Sequence, residues 1–202
     1  RLGSRATPRP TRGWPMKVRI EHDYAADVEA VYALISDPEY IERKYVALGG
    51  RDVAADRSEG DDGGCEVVTK RTVSVDLPGF AKKVLTPSQT TIQTEVWSPA
   101  SGAGVRRCTY DVDIQGAPGN ISGSHTLTPS PGGSRHVIDI DIKVSVPLLG
   151  GRLEKLAAET GRGDIERQFA HTDEALANPR CSCRPRRTNA VCAPLSSRSR
   201  DF

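Results

Sequence analysis

The sequence predicts an α+β fold in which a curved antiparallel sheet of about seven strands wraps around one long C-terminal helix. Three observations support this prediction. Apolar residues recur at helical spacing over a long range between Pro147 and Leu176, which as a helix could extend on the order of 40 Å. Between Met16 and Val146 most patterned segments alternate with the period of two that is typical of strands. Two short helices, both after the first strand, have recognisable caps.

The first strand and the two short helices follow one another closely. Apolar and polar residues alternate over 17–24, which predicts a half-buried strand. Asp27 is the expected N-cap of the first helix, because its side chain can accept a hydrogen bond from a free backbone N–H. Asp37 is expected to cap the second helix, with Pro38 at its first position. Gly49-Gly50 then ends that helix.

Six further segments alternate as strands: 51–55, 65–75, 90–97, 105–114, 120–129 and 136–146. In the last of them isoleucines alternate with charged residues, so one face should be buried and the other exposed to water. The Asp- and Gly-rich stretch 56–64 predicts a turn, and hence a hairpin between the first two segments. Residues 77–80, followed by Lys82 and Lys83, predict an exposed loop that could also act as a gate or touch a membrane.

The apolar stripe of the long helix changes side along its length. Its first half is formed by Leu149, Leu153, Leu156 and Thr160. Its second half lies roughly opposite on a helical wheel and is formed by Ile165, Phe169 and Leu176. Gly161 and Gly163 stand at the change of side and are poor helix formers, so a kink or a loosened turn is expected there.

The charge of the chain is unevenly distributed. Residues 1–15 carry four Arg and no acid, and residues 177–202 carry six Arg and one acid, so with an overall charge of +2 the residues between carry −7. A domain this acidic argues against nucleic acid as the main partner. The terminal stretches lack apolar periodicity, which predicts a disordered basic leader at 1–15, a folded domain at 16–177 and a disordered tail at 178–202.

The cysteines and the hydropathy of the chain predict a cytoplasmic protein. Cys65 and Cys108 lie alone in strand patterns, and Cys181, Cys183 and Cys192 lie in the tail, so no disulfide framework is indicated. No segment is apolar over the length of a membrane span, and no signal peptide is visible. The Cys spacing lacks the paired motif of a zinc site and the histidines lack ligand spacing, so neither a metal nor a cofactor is expected.

Local motifs add a resemblance to a known family. They are Asp23-Tyr24, Asp27-x3-Val31-Tyr32-x-Leu34, Asp37-Pro38, Asp76-Leu77-Pro78-x-Phe80 and Glu95-x-Trp97. Together with the order of the elements, they resemble DUF2505, an actinobacterial family of unknown activity in the START-like superfamily, also called SRPBCC, helix-grip or Bet v 1-like. The resemblance covers residues 16–176 and departs at Gly161 and Gly163. It implies the fold more strongly than the activity.

In that superfamily the sheet and the terminal helix enclose a cavity that holds a lipid, a polyketide or another apolar molecule, so the resemblance implies a similar cavity here. Its expected lining is Val18, Ile20, Tyr24, Val67, Tyr110, Val112, Ile138, Ile140, Ile142, Leu153, Leu156 and Ala157. The same residues could instead fill the core completely. The aromatic content of 5% favours a remaining void, because few bulky side chains are available to fill it.

Polar candidates accompany this apolar lining. Strand parity places three ionisable residues on otherwise apolar faces: His22, Arg71 and His125. Each could anchor a carboxylate or carbonyl of a ligand, although a β-bulge could turn it to solvent. The phenols of Tyr24 and Tyr110 could also reach the cavity or could belong to the core. Trp97 lies out of phase with Ile92 and Val96, so it could cover a surface groove or the cavity mouth, or serve the structure alone.

These patterns favour a protein that binds or carries a small hydrophobic, lipid-like or polyketide-like ligand, with no catalytic residue assigned. No Ser-His-acid arrangement, phosphate loop or dinucleotide fingerprint is present. One alternative is a polyketide aromatase/cyclase-type enzyme that uses His22, Arg71 or His125 as acid, base or anchor. Another is a protein-interaction module with a filled core that uses its outer face or Trp97.

Overall fold

The computed structural model describes residues 16–178. Its strands and helices are β1 (Met16–Tyr24), α1 (Val28–Ile35), α2 (Pro38–Ala47), β2 (Arg51–Glu59), β3 (Cys65–Ser74), β4 (Ser88–Trp97), β5 (Arg106–Ile114), β6 (Gly119–Ser130), β7 (Gly133–Val144) and α3 (Gly150–Ala177). A short 3-10 helix, Ala81–Lys83, lies between β3 and β4. The expected disordered leader at 1–15 and the expected tail beyond Asn178 lie outside the described residues.

All seven strands form one antiparallel sheet in the order β1-β7-β6-β5-β4-β3-β2. From β2 to β7, each strand lies beside the strand that follows it in the chain. Strand β1 pairs instead with β7, with Met16 opposite Ile142 and Tyr24 opposite Ser134. Helix α3 lies against the inner face of this sheet, where it contacts β1 and β7. The prediction of a seven-stranded antiparallel sheet with a long C-terminal helix and two short helices after the first strand is confirmed.

The caps of the two short helices are those that the sequence predicts. The Asp27 carboxylate accepts a hydrogen bond from the backbone N–H of Ala30 at 2.8 Å. The Asp37 carboxylate accepts from the N–H groups of Glu39 and Tyr40, and Pro38 occupies the first turn of α2. After α2 the chain turns through Gly49 at a φ of +90°, a backbone conformation that favours glycine.

Helix α3 is continuous through Gly161 and Gly163, so the predicted loosened turn is not found. The stripe changes side because the two halves of the helix meet different parts of the protein. Leu153 packs in a small cluster with Leu77 and Ala81 from the β3–β4 connection. Phe169 packs in the main core instead. The two halves of α3 thus bury different sides, because the β3–β4 connection packs on the first half and the main core packs on the second.

Two predicted segments need correction. Strand β2 continues to Glu59, and the turn is confined to Gly60–Gly64, where the N–H of Gly60 donates to the carbonyl of Gly64. Polar residues of an edge strand were mistaken for turn residues, because such a strand can expose one face to water. The segment after β3 is not simply an exposed loop, since Leu77 and Ala81 are buried against α3.

The inward face of β4 also differs from the prediction. Gln89, Thr91, Gln93 and Trp97 are buried, whereas Val96 is 49% exposed. Hydrophobicity does not identify the inner face of β4, because most of its inward residues are polar. The position of Trp97 out of phase with Val96 therefore marks it as an inward residue.

Candidate ligand-binding site

A cavity of about 320 Å³ lies between the inner face of the sheet and α3. Strands β5 and β7 and helix α3 contribute apolar side chains of the predicted lining: Tyr110, Val112, Ile138, Ile140, Ile142, Leu153, Leu156 and Ala157. Strand alternation brings the β5 and β7 side chains to one face, and helical spacing brings those of α3 opposite. Arg71 and His125, two of the three ionisable candidates, also lie in the wall.

One strip of the wall is polar, and the periodicity of the sequence does not predict it. Gln89, Thr91 and Gln93 follow one another along the inner face of β4 and all line the cavity. Each is nearly inaccessible to solvent. They have the same strand parity as Trp97. A large aromatic residue is often buried, so this shared parity could have indicated that they point inward. The cavity is therefore a mainly apolar space with a buried hydrogen-bonding strip along β4, and such a combination is common in ligand sites.

Arg71 lies next to this polar strip. Its Nη2 donates to Oε1 of Gln93 at 3.1 Å, and its guanidinium stacks on the ring of Tyr45 at 4.0 Å from the ring centroid. Its Nη1 is shielded from solvent and has no hydrogen-bond partner among the described residues. Gln93 is oriented in turn by Glu95, which accepts from Nε2 of Gln93 at 2.7 Å and from Nε1 of Trp97 at 3.0 Å.

Two histidines form a pair beside the cavity, His136 buried and His125 partly buried in the cavity wall. Nδ1 of His125 and Nε2 of His136 are 3.0 Å apart, a distance at which one ring donates and the other accepts. Both rings line a smaller cavity of about 50 Å³, together with Lys44 and Glu95, and His125 lines the main cavity as well. Nδ1 of His136 is buried without a partner in the described part of the chain. The pair can therefore offer a hydrogen bond to a polar group or a water in the smaller cavity.

Burial governs the protonation of this pair. Burial lowers the pKa of His125, while the nearby Glu95 opposes this effect and Lys44 adds to it. Burial lowers the pKa of His136 well below its usual value, and the neighbouring His125 adds to the shift. Both rings are consequently neutral near pH 7. A neutral imidazole can accept a proton, so the pair has the protonation state of a base rather than of an acid.

The third ionisable candidate, His22, lies on the inner face of β1 but is absent from the cavity wall. Its Nε2 is 2.9 Å from Oδ2 of Asp173, and its ring stacks on Phe169 at 4.7 Å between centroids. These contacts attach β1 to the last turns of α3. The side chain of His22 is thus placed to stabilise the fold, and its predicted contact with a ligand has no support from the geometry.

Several other predicted lining residues lie in the core. Ile20 and Val67 are buried in the main hydrophobic cluster away from the cavity wall, and Val18 packs against the same cluster. Trp97 is only 1% exposed and contacts Tyr32 edge-on at 5.3 Å, which agrees with the structural role and not with a place in a surface groove or at the cavity mouth. It is also unavailable as the surface anchor of an interaction module.

The two predicted tyrosines differ in position. Tyr110 lines the main cavity, and its hydroxyl donates a 3.5 Å hydrogen bond to the carbonyl of Asp139. Tyr24 borders the smaller cavity instead. Burial raises the pKa of both phenols above the usual value, so they remain uncharged and act only through neutral hydrogen bonds.

Residues 16–178 contain no group of three or more His, Cys, Asp or Glu side chains that could hold a metal ion. The tail cysteines Cys181, Cys183 and Cys192 lie outside the described residues. None of the helices described here has the length and hydropathy needed to cross a membrane.

Solved structures share this fold at low sequence identity. TTHA0849 from Thermus thermophilus matches with a TM-score of 0.59 at 17% identity, over 81% of this chain and 99% of that protein. A STAR-related lipid transfer protein from Xanthomonas axonopodis matches with a TM-score of 0.54 at 16% identity, over 84% and 91%. The Zhui aromatase/cyclase from a Streptomyces species matches with a TM-score of 0.50 at 14% identity, over 81% and 92%. The fold is therefore START-like.

Sequence comparison gives closer relatives. The uncharacterised protein Rv0481c of Mycobacterium tuberculosis is 32% identical over 151 residues, which cover 70% of this chain and 86% of the relative. The uncharacterised protein Mb0491c of Mycobacterium bovis matches equally well. Residues 19–176 match the sequence model of a family described as "Protein of unknown function (DUF2505)". The chain therefore belongs to the DUF2505 family, as its motifs and order of elements predict.

Proposed function

We propose that this protein binds and carries a small hydrophobic, lipid-like or polyketide-like molecule in the cavity between its sheet and α3. The observation that carries the proposal is a void of about 320 Å³ with a mainly apolar wall between the sheet and α3. Protein interiors are normally close-packed, and an apolar cavity with a few polar groups is the usual form of a small-molecule site. The named neighbours, a lipid transfer protein and an aromatase/cyclase, support the same class of ligand.

The first test is native mass spectrometry of the freshly purified full-length protein, before and after denaturation. We expect an added mass in the native spectrum that denaturation releases as a small apolar compound. Apolar compounds added after removal of that ligand should raise thermal stability, because a ligand at 100 times its dissociation constant stabilises by about 2.7 kcal/mol.

Ala157→Phe is the variant that tests the location of the site. Ala157 lines the cavity from α3, and a phenyl ring there should occupy the space and abolish the ligand-induced gain in melting temperature. Ala170→Phe is the matched control, since Ala170 lies on the same helix and is exposed. Equal ligand-induced gains in the two variants would place the ligand elsewhere.

A second candidate function is an enzyme of the aromatase/cyclase type, favoured by one observation. His125 lies in the wall of both cavities and pairs with His136, so a neutral imidazole borders the place where a ligand would lie. The co-purified compounds of the wild type and of His125→Phe distinguish the two functions. The same compound from both proteins supports a carrier, and an untransformed precursor found only in the variant supports an enzyme.

The compartment that we propose for this function is the cytoplasm. Cys65 and Cys108 are buried free thiols, and free thiols persist in reducing compartments. Cell fractionation followed by detection of the protein tests this assignment.

A further inference from the structure

The charges around the cavity differ from those of the domain as a whole. Residues 16–176 carry a net negative charge, yet the residues lining the cavity include three cations, Arg71, Lys143 and Arg167, and a single acid, Asp164. Asp164 is already paired with Arg167 on the same helix. Lys143 is exposed on the outward side of β7, so Arg71 is the cation left at the cavity wall, and a cation in such a place attracts anions.

Arg71 is a cation of the cavity wall with no counter-ion among the described residues. Within residues 16–178 it takes part in no ion pair, and its contacts are the amide oxygen of Gln93 and the face of the Tyr45 ring. Both partners are uncharged, so they orient the guanidinium without neutralising it. Its Nη1 is shielded from solvent and has no hydrogen-bond partner in the part of the chain that the structure describes. A buried donor without a partner is rare in proteins and calls for an explanation.

The neighbouring acid does not supply that partner. Glu95 lies two residues from Gln93 on β4, and its oxygens accept from Gln93 and from Trp97. Glu95 therefore fixes the direction of the Gln93 amide, whose oxygen faces Arg71, while its own oxygens are engaged. The row from Trp97 through Glu95 and Gln93 to Arg71 holds the guanidinium in place beside the cavity. Such preorganisation is typical of binding groups.

We propose that the molecule bound in the cavity carries a carboxylate, that Arg71 binds this carboxylate, and that the apolar wall holds the hydrocarbon part. Arginine suits this role because its planar group can donate two parallel hydrogen bonds to a carboxylate. The inference rests on the proposed binding of a hydrophobic molecule and adds its chemical class, an amphipathic acid. The cavity of about 320 Å³ is at the small end of the range of ligand pockets, so a medium-chain acid is a suitable probe.

The test compares decanoate with 1-decanol, which have the same chain length and differ in charge. Isothermal titration calorimetry on the full chain, after removal of co-purified ligand, should give tighter binding of decanoate to the wild type by about 10- to 100-fold, the usual worth of a hydrogen bond to a charged group. Arg71→Gln should lose this preference and keep its affinity for 1-decanol. Arg71→Lys should keep part of it, since the charge remains without the planar group.

Arg107→Gln is the control variant. Arg107 is exposed on β5 and absent from the cavity wall, and the substitution removes the same charge. Its preference for decanoate should equal that of the wild type. If Arg71→Gln does not fold, the wild-type preference and the Arg71→Lys variant still decide the question.

The outcomes separate this inference from the proposed function. Equal affinity of the wild type for both compounds would overturn the carboxylate assignment and leave hydrophobic binding intact. A preference that survives in Arg71→Gln, or one that disappears equally in Arg107→Gln, would overturn the role of Arg71. If neither compound bound and no apolar ligand stabilised the protein, the proposed function itself would fail.

Discussion

At the scale of single residues, the His125–His136 pair links the protonation of the interior to the stability of the fold. The two rings share a hydrogen bond, and their desolvation in the interior lowers the pKa of each. In the unfolded chain a histidine titrates near pH 6.5. The folded protein therefore holds both rings neutral, and in acid this lowers the free energy of unfolding.

We predict that the free energy of unfolding falls as the pH drops below about 6.5. Above that pH the pair is neutral in both states, so its contribution is fully present. Below it only the unfolded chain takes up protons, which costs up to about 1.4 kcal/mol per pH unit for each ring until the lowered folded pKa is reached. Urea unfolding at pH 7.5, 6.5 and 5.5 measures this loss.

The double variant His125→Leu/His136→Leu should lose much less stability over the same pH range, whatever its stability at pH 7.5. Asp23 and Glu29 do not obscure the comparison, because hydrogen bonds from Arg135 and Arg106 lower the pKa of these carboxyls and keep them ionised. His171→Gln, at a partly exposed position on α3, should retain the acid loss of the wild type. An equally steep loss in the double variant would show that other groups cause it.

Where periodicity and hydrophobicity agree, the sequence predicts which side chains face the interior. Ile138, Ile140 and Ile142 alternate cleanly and lie in the cavity wall; whether they touch a ligand stays a prediction. The polar strip Gln89, Thr91 and Gln93 was missed, because an inward polar residue cannot be told from an outward one by hydrophobicity. His136 was not predicted as a site residue, because its contact with His125 joins two strands and no local pattern reveals such a contact.

At the scale of elements, α3 shows how tertiary contacts override local preference. Gly161 and Gly163 weaken a helix, yet the helix is continuous through both. Leu153 on one side and Phe169 on another are both buried, so packing along the whole length holds the helix together. The caps of α1 and α2 were predictable because they depend on neighbouring residues, whereas the continuity of α3 depends on distant ones.

We predict that Gly163→Ala stabilises the protein by about 1 kcal/mol, the difference between the two residues inside a helix. An added Cβ at this exposed position meets no atom within 4 Å beyond the helix backbone, so the gain should appear without a steric cost. Thermal unfolding should show a rise of about 2–4 °C for a protein of this size.

Gly49→Ala is the contrasting control, because its Cβ also meets no atom within 4 Å but the residue has a φ of +90°. There the substitution should lower stability, since a side chain disfavours that backbone conformation. If both variants changed stability in the same direction, available space rather than backbone conformation would decide the effect.

At the scale of the whole molecule, the architecture was predictable and the arrangement of its interior was less so. The number of strands, the two short helices and the terminal helix followed from periodicity and caps. The β3–β4 connection was expected to be exposed, but Leu77 and Ala81 are buried against Leu153. That contact joins segments far apart in the chain, and no local pattern signals it.

The pairing of β1 with β7 has a consequence for the order of events during synthesis. Strands β2 to β7 can pair one after another as they leave the ribosome, because each neighbours the next in the chain. Strand β1 is made before all of them, yet its partner residues lie between Ser134 and Ile142. Its apolar side chains, Val18 and Ile20, therefore stay unpaired with β7 while more than half of the chain is translated. During that time a chaperone can bind this exposed apolar segment of the nascent protein.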